Sequence, residues 1–398
     1  MSKSASQKAR AAPWPDRPTG EVLWVHATTA ERCLALSDIG HRLKSHRPDL
    51  SVLVTWPDTL SPPPEVDGCD LPLGPPPEDS AAEVRRFLDH WRPDLCIWSG
   101  GDIRRILMRQ LSERKVDSLL VDLTFEELPD RSRRWLPDQR KKMLNRFQAV
   151  FTPSHEVEVV LARLGLDAQK IRKTDPLRLS TTPLGCNGDE LAHMQTILGS
   201  RPSWYAAQAD LRNLADILTA HRRVLRLLHR LLLIVSIRDE TELPAARETI
   251  LASGLQLADW DSGEEPDDYS QVLLSSADDS GLWYRIAPVS LLAGSLTNAG
   301  NAQNPLEAAA LGSAILHGSD YGSHHAVYRR LHEVGAALEV DDTEGLAQAV
   351  LTLSAPDRAA EMALAGWTVV TEGANVTDQL LDQIQDLLDL REERHESP

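Results

Sequence analysis

The stretch EVLWVHATTAERCLALSDIGHRLKSHRPDLSVLVTW, residues 21–56, decides the fold. It opens with EVLWVHA (21–27), a short apolar run rich in β-formers. From Ala30 to Leu43 the apolar residues 34, 36, 39 and 43 recur at helical spacing. SVLVTW (51–56) is a second apolar run of strand length. A strand, a helix and another strand, with strands apolar throughout rather than alternating, predict a parallel sheet covered by helices on both faces.

The unit recurs along the chain. AAEVRRFLDHW (81–91) reads as a helix, LCIWSGG (95–101) as a strand and glycine turn, IRRILMRQLSER (103–114) as a helix and SLLVDL (118–123) as a strand. AVFTPS (149–154) is a strand, followed by the helix HEVEVVLARLG (155–165), which Gly165 closes. A second series begins near Arg201. Its strands are WYAA (204–207), RLLLIVS (230–236), QVLLSS (271–276), VSLLAGS (289–295) and SAILHG (313–318), with a helix over 211–230. Leu or Ile at 380, 381, 384, 387, 388 and 390 marks a last amphipathic helix. The expected organisation is a flexible arm (1–20), a Rossmann-like domain (21–175), a polar linker (176–200), a second Rossmann-like domain (201–375), and a C-terminal helix and tail (376–398).

Composition narrows the function classes. The 398 residues are 42% hydrophobic and 25% charged, an ordinary globular balance that excludes disorder throughout, collagen and long coiled coils. The strongest apolar run, Leu231–Val235 with its flanks, is far below the ~20 residues that span a bilayer. Residues 1–20 are polar and proline-rich and carry no secretory signal. Cys33, Cys69, Cys96 and Cys186 show no CxxC spacing, which argues against a disulfide framework or structural zinc and fits a reducing cytoplasm. A net charge of −17, from 42 basic and 59 acidic residues, excludes general affinity for nucleic acid. Yet residues 131–147 hold seven basic groups and one acid, interleaved with Trp135, Leu136, Met143, Leu144 and Phe147. Such a stretch, with Arg140, Lys141 and Lys142 at its centre, suits an anionic membrane surface or a phosphorylated lipid. It also suits a solvated helix face.

The most informative segment is AGSLTNAGNAQNPLEAAALGSAILHG (293–318). It resembles the 3-deoxy-D-manno-octulosonic acid (Kdo) transferases, bacterial glycosyltransferases of the GT-B fold, in a glycine-rich strand end followed by Asn-Pro-Leu-Glu at a helix start. Gly294, Ser295, Gly300, Asn304, Pro305, Leu306 and Glu307 match. LWVHATTAE (23–31) is similar to the family's HAxSxGE opening, with one residue fewer between His26 and Glu31. RFLDHWRPDL (86–95), FTPSHEVEVVLARLG (151–165) and LWYRIAPVSLLAGSL (282–296) follow in the family's order. Three motifs depart from it. AASTH becomes Ala206-Ala207-Gln208-Ala209-Asp210, PRHPER becomes Ser236-Ile237-Arg238-Asp239-Glu240-Thr241, and the paired-glutamate EtExWP becomes Ser99-Gly100-Gly101-Asp102-Ile103-Arg104.

The resemblance implies an α/β, GT-B architecture of two Rossmann-like doubly wound domains facing across a cleft. It implies transfer of Kdo from CMP-Kdo to a lipid A precursor, with inversion and without metal or cofactor, at the cytoplasmic face of the inner membrane. Glu31 would be the general base, which as a bare sequence feature is also an ordinary first-turn acid. Glu307 would accept from the CMP ribose and Asn304 would orient the loop, although Asn-Pro-x-Glu is in itself a complete helix start. Gly294, Ser295 and Gly300 would admit the phosphate, and Arg238 would pair with it. His317, His324 and His325 read as loop histidines and not as a metal site. Two other readings stay open: a homologue that keeps the fold without catalysis, and a GT-B enzyme using another activated sugar.

Overall fold

The computed structural model describes residues 14–60, 69–128, 137–297 and 300–396. The chain divides into two compact units. The first comprises residues up to Thr174 and from Leu380 onward, and the second spans Asp175–Gln379.

In the first unit the order is β1 (Val22–His26), α1 (Ala30–Lys44), β2 (Ser51–Thr55), β3 (Leu71–Gly74), α2 (Ala81–Trp91), β4 (Leu95–Ser99), α3 (Arg105–Glu113), β5 (Asp117–Val121), α4 (Pro137–Leu144), β6 (Ala149–Thr152), α5 (His155–Arg163) and β7 (Ile171–Lys173). The strands form one sheet in the order β3-β2-β1-β4-β5-β6-β7, with parallel pairing throughout. Chain order reverses between β1 and β4, so the crevice of this sheet opens at their C-terminal ends. Trp24, Phe87, Trp91, Trp98, Leu107, Leu120 and Phe147 are among the residues filling the core.

The second unit contains α6 (Gly188–Leu198), β8 (Ser203–Ala209), α7 (Leu211–Leu225), β9 (Leu232–Ile237), α8 (Leu243–Ala252), β10 (Leu257–Asp259), β11 (Val272–Ser276), α9 (Ser280–Ile286), β12 (Val289–Leu292), α10 (Pro305–Ala310), β13 (Ala314–His317), α11 (His325–Glu333), β14 (Ala337–Glu339) and α12 (Thr343–Leu353). The 41-residue α13 (Pro356–Glu396) follows. The sheet order is β10-β11-β9-β8-β12-β13-β14, again all parallel, and the reversal falls between β8 and β12. Leu233 and Val235 of β9 enter one core while Leu232 and Ile234 enter the other, which is why the strand reads as a continuous apolar run.

Both expected Rossmann-like sheets are therefore present. Three details differ from the sequence reading. The stretch read as a linker holds α6, whose Met194 and Leu198 are buried in the second unit's core. The last helix begins at Pro356, twenty residues before the expected start at 376. Residues 14–20, read as part of a loose arm, are held: the Trp14 ring packs edge-on against Phe87 at 5.6 Å, and Arg17 donates to the Trp91 carbonyl at 2.8 Å. Residues 1–13 of that arm lie outside the described residues.

Candidate functional site

The two reversal points gather most of the expected site residues, each in its own unit. In the first unit β1 ends at His26 and the chain turns through Ala27, Thr28 and Thr29 into α1. Thr29 caps the helix, its hydroxyl accepting from the Arg32 amide at 3.2 Å. Glu31 stands half-buried in the first turn, beside the crevice between β1 and β4.

Its neighbour Arg32 is a residue the sequence reading missed. The side chain is buried and fully engaged. Nε donates to Asp122 Oδ2 at 2.6 Å, Nη2 to the Asp122 carbonyl at 2.7 Å and to Glu127 Oε2 at 2.9 Å, and Nη1 to Thr28 Oγ1 at 2.6 Å and to Glu127 Oε1. Thr124 donates to Glu127 from both its amide and its hydroxyl. These donors hold Glu127 below the usual carboxylate range against the opposing effect of burial. One guanidinium thus ties the loop after β5 to the start of α1. Gly100 explains how it fits: φ is +68°, and a Cβ there would run into Arg32, Glu127 and Thr28. Room that a side chain at Gly100 would need is taken by the ion-paired cluster.

His26 is fully buried, stacked on Trp98 with ring centroids 3.9 Å apart, and burial pushes its pKa down to about 3. It is a neutral packing ring whose Nδ1 meets Thr55 Oγ1 at 3.0 Å.

In the second unit β12 ends in the turn Ala293–Leu296. Ser295 is fully buried and its hydroxyl is committed, donating to the Leu292 carbonyl and accepting from the Gly318 amide at 2.7 Å. It fixes the turn, and no lone proton is left for a ligand. Gly294 admits no side chain, because a Cβ would strike Arg238, the Asn301 carbonyl and Gln303. Gly300 has φ +70° and donates its amide to Asp320 Oδ2 at 2.8 Å. Arg238 donates to the Asn301 carbonyl at 3.2 Å and faces Asp210 Oδ1 at 3.7 Å, which brings it to the same turn as Gly294.

Asn304 caps α10, accepting from the Leu306 amide at 3.1 Å. Glu307 is half-buried one turn on, and its pKa is raised by desolvation alone. No cation or hydrogen-bond donor to its carboxylate is found among the described residues. Gln303, also missed from sequence, donates to the Ala207 carbonyl at 2.7 Å and accepts at its own carbonyl from Tyr328 at 2.9 Å, so it stitches the loop before α10 to β8. Gly294, Ser295, Arg238 and the loop leading to Glu307 therefore share the end of β12.

The cationic patch is different. Met143, Leu144 and Phe147 are buried in the first unit's core, not exposed to a membrane. Arg140 is buried as well. Lys141 is exposed, with Nζ over Gly165 where α5 ends, and Lys142 is exposed on another side of the helix. Residues 131–136, including Trp135 and Leu136, lie outside the described residues. His317 ends β13 fully buried, which corrects its reading as a loop histidine. Among the described residues no group of three His, Cys, Asp or Glu side chains could hold a metal ion, and no helix is long and apolar enough to cross a membrane.

Comparison with known proteins gives related matches. Among solved structures, the C-terminal CMP-Kdo binding domain of WaaA from Acinetobacter baumannii is 22% identical, covering 46% of this chain and 96% of that domain, with a TM-score of 0.44. Acinetobacter baumannii MurG is 11% identical over 92% of this chain and all of that one, with the same TM-score. A family model described as 3-deoxy-D-manno-octulosonic-acid transferase matches residues 4–181. The curated 3-deoxy-D-manno-octulosonic acid transferase of Haemophilus influenzae is 23% identical over 386 residues, 94% of this chain and 88% of the relative. That of Rickettsia felis is 21% identical, over 86% of this chain and 73% of the relative. With the family model over its first domain and curated relatives aligned along most of its length, the chain is similar to the Kdo transferases.

Proposed function

We propose that the protein transfers Kdo from CMP-Kdo to a lipid A precursor, with inversion at the anomeric carbon and without a metal, in peripheral contact with an anionic membrane. The observation that carries this reading is Glu307. A carboxylate desolvated at a sheet reversal point, with no donor or cation among the described residues, is costly unless a ligand supplies hydroxyl protons to it. The ribose of a cytidine nucleotide supplies two. Arg238, aimed at the Gly294 turn, supplies positive charge for the nucleotide phosphate.

Glu31 is the group assigned to take the acceptor's hydroxyl proton as the sugar–phosphate bond breaks. The CMP phosphate leaves with the electron pair of that bond, so no covalent sugar–enzyme intermediate is needed. Arg32 positions the turn that carries Glu31, by holding Thr28, Asp122 and Glu127 together.

A second reading, a homologue that keeps the fold without catalysis, is favoured by Ser99 and Gly101, which stand where the Kdo transferases carry paired glutamates. The deciding experiment titrates the purified protein with CMP and with UDP and assays transfer from CMP-Kdo to lipid IVA. Binding of CMP with product formation supports transfer. Binding of CMP without product leaves the non-catalytic reading, and binding of UDP alone overturns both.

A further inference from the structure

The first unit carries a second concave feature, between α3 and α4. Leu107, Met108 and Leu111 of α3, and Met143 and Leu144 of α4 with Phe147 beyond it, face the core. The opposite faces of the two helices leave a groove of about 390 Å³, lined by Arg105, Ile106, Arg109, Gln139, Lys142 and Arg146. Four of these six residues are cations, drawn from α3, α4 and the turn after α4, in a protein whose net charge is −17.

Their pairing is unusually sparse. Among the described residues no carboxylate lies within 4.0 Å of Arg105, Lys142 or Arg146, and Arg109 meets only Glu113, at 3.5 Å, with both side chains more than half exposed. Elsewhere in the unit arginines are shared between acids, as Arg47 is among Glu21, Asp389 and Glu392. The groove's cations are instead oriented by neutral groups. Arg105 donates to Gln139 Oε1 at 3.1 Å, across the groove, and Arg146 donates to the Lys142 carbonyl at 2.7 Å. Like charges converging with Glu113 as their one close carboxylate among the described residues repel one another, so the arrangement opposes folding slightly and favours an anion.

We propose that this groove binds a phosphate monoester. Such a group carries a charge of about −1.5 to −2 and three strong acceptor oxygens, which match guanidinium forks approaching from two sides. A phosphodiester, with one charge, would leave most of the cations unpaired. The volume exceeds that of a phosphate group and sits within the range of small-ligand clefts, so part of the molecule bearing the phosphate enters as well, against Ile106. The monoester is carried either on a lipid headgroup at a bilayer surface or on a soluble molecule, and the chemistry is shared. The site uses neither Glu31 nor the Glu307 turn, so it does not depend on the transfer reaction.

The test compares the full chain with R109Q/R146Q, which removes one charge from α3 and one from the turn after α4 and keeps the side-chain stems. Both are measured against phosphatidylcholine vesicles containing phosphatidic acid, a monoester, or phosphatidylglycerol, a diester, at equal surface charge, and against glycerol 3-phosphate by calorimetry. The expected result is preference for the monoester by about tenfold or more, lost in the double variant and weakening as pH falls below about 6, where the monoester gives up its second charge. Tighter binding to phosphatidic acid vesicles than to glycerol 3-phosphate identifies a lipid source; equal binding identifies a soluble one. R109K/R146K, which keeps the charge and loses the forks, should retain vesicle attachment but not the monoester preference. Equal affinity for the two vesicle types together with no binding of glycerol 3-phosphate, or a preference that survives in R109Q/R146Q, overturns the proposal.

Discussion

His317 Nε2 lies 2.8 Å from His332 Nε2, and the neighbouring bonds settle which ring donates. His317 Nδ1 is 2.6 Å from the Gly318 carbonyl, which can only accept, so that nitrogen carries the proton. Nε2 of His317 is then bare and accepts from His332. The chain continues inward, because the Gly318 amide donates to Ser295 Oγ, which donates to the Leu292 carbonyl. A partly exposed ring on α11 is thus linked to the turn that holds Gly294 and Ser295. Replacing His332 by Leu leaves a fully buried acceptor unsatisfied and should cost about 1–3 kcal/mol in urea unfolding. H332Q, which can offer an amide proton, should recover most of that. An H332L protein as stable as the parent would mean that another donor serves His317.

Three buried histidines give the protein an acid limb. Burial lowers His26 to about 3, and His221 and His317 to about 4. In the unfolded chain each titrates near 6.5, so below that value the unfolded state takes up protons that the folded state refuses. Their contribution is fully present above about pH 6.5 and is lost as pH falls towards 4. The gap for His317 is worth about 3 kcal/mol at most. Urea midpoints should therefore drop steeply between pH 6.5 and 4. A flat profile over that window would show that these rings are protonated in the folded protein.

The central strands were legible because doubly covered parallel strands are apolar at every position, as in LCIWS of β4 and LLIVSI of β9. What escaped were the edges. β7, β10 and β14 are three residues long, and β3 contains Pro72, which an edge strand tolerates because one side needs no ladder bond. The candidate site was legible where one local motif carried it, from Gly294 to Glu307. Arg32 was not, since its partners Asp122 and Glu127 lie ninety and ninety-five positions away. Asp122 also sits at φ +54°, which no residue type announces. Met143, Leu144 and Phe147 showed the converse failure: apolar residues between cations look like a membrane face until the core claims them.

Glu307 should separate stability from binding. Its desolvated carboxylate has no compensating group among the described residues, so Glu307→Gln removes a buried charge and should raise stability by ~1 kcal/mol at neutral pH. The same change replaces a charged acceptor by a neutral one for the ribose hydroxyls and should weaken CMP binding about tenfold. Calorimetry and urea unfolding on one preparation check both. Unchanged CMP affinity would reduce Glu307 to a helix-start acid.

Glu31→Gln keeps size and helix position while removing the proposed base. Turnover with CMP-Kdo and lipid IVA should fall by ~10²-fold or more, with CMP affinity unchanged because the nucleotide is assigned to the other unit. The contrast with Arg32 is informative. Arg32→Met leaves Asp122 and Glu127 without their cation and should cost about 3–5 kcal/mol of stability, so its loss of activity should track unfolding, whereas that of E31Q should not.

The proposed membrane contact depends on which of the three central cations can reach a bilayer. Arg140 is buried, so Arg140→Ala should lower the unfolding midpoint through lost packing of its stem rather than release the protein from vesicles. Lys141 stands over the C-terminal end of α5 at Gly165, where a cation is favoured by the helix dipole, and K141A should cost a few tenths of a kcal/mol in stability. Lys142 lines the open groove. At ~1 kcal/mol per basic residue near an anionic surface, K142A alone should weaken sedimentation with phosphatidylglycerol vesicles several-fold, and the attachment that remains should fade with added salt. If K141A releases the protein as strongly as K142A, attachment follows total charge and not the geometry of this face.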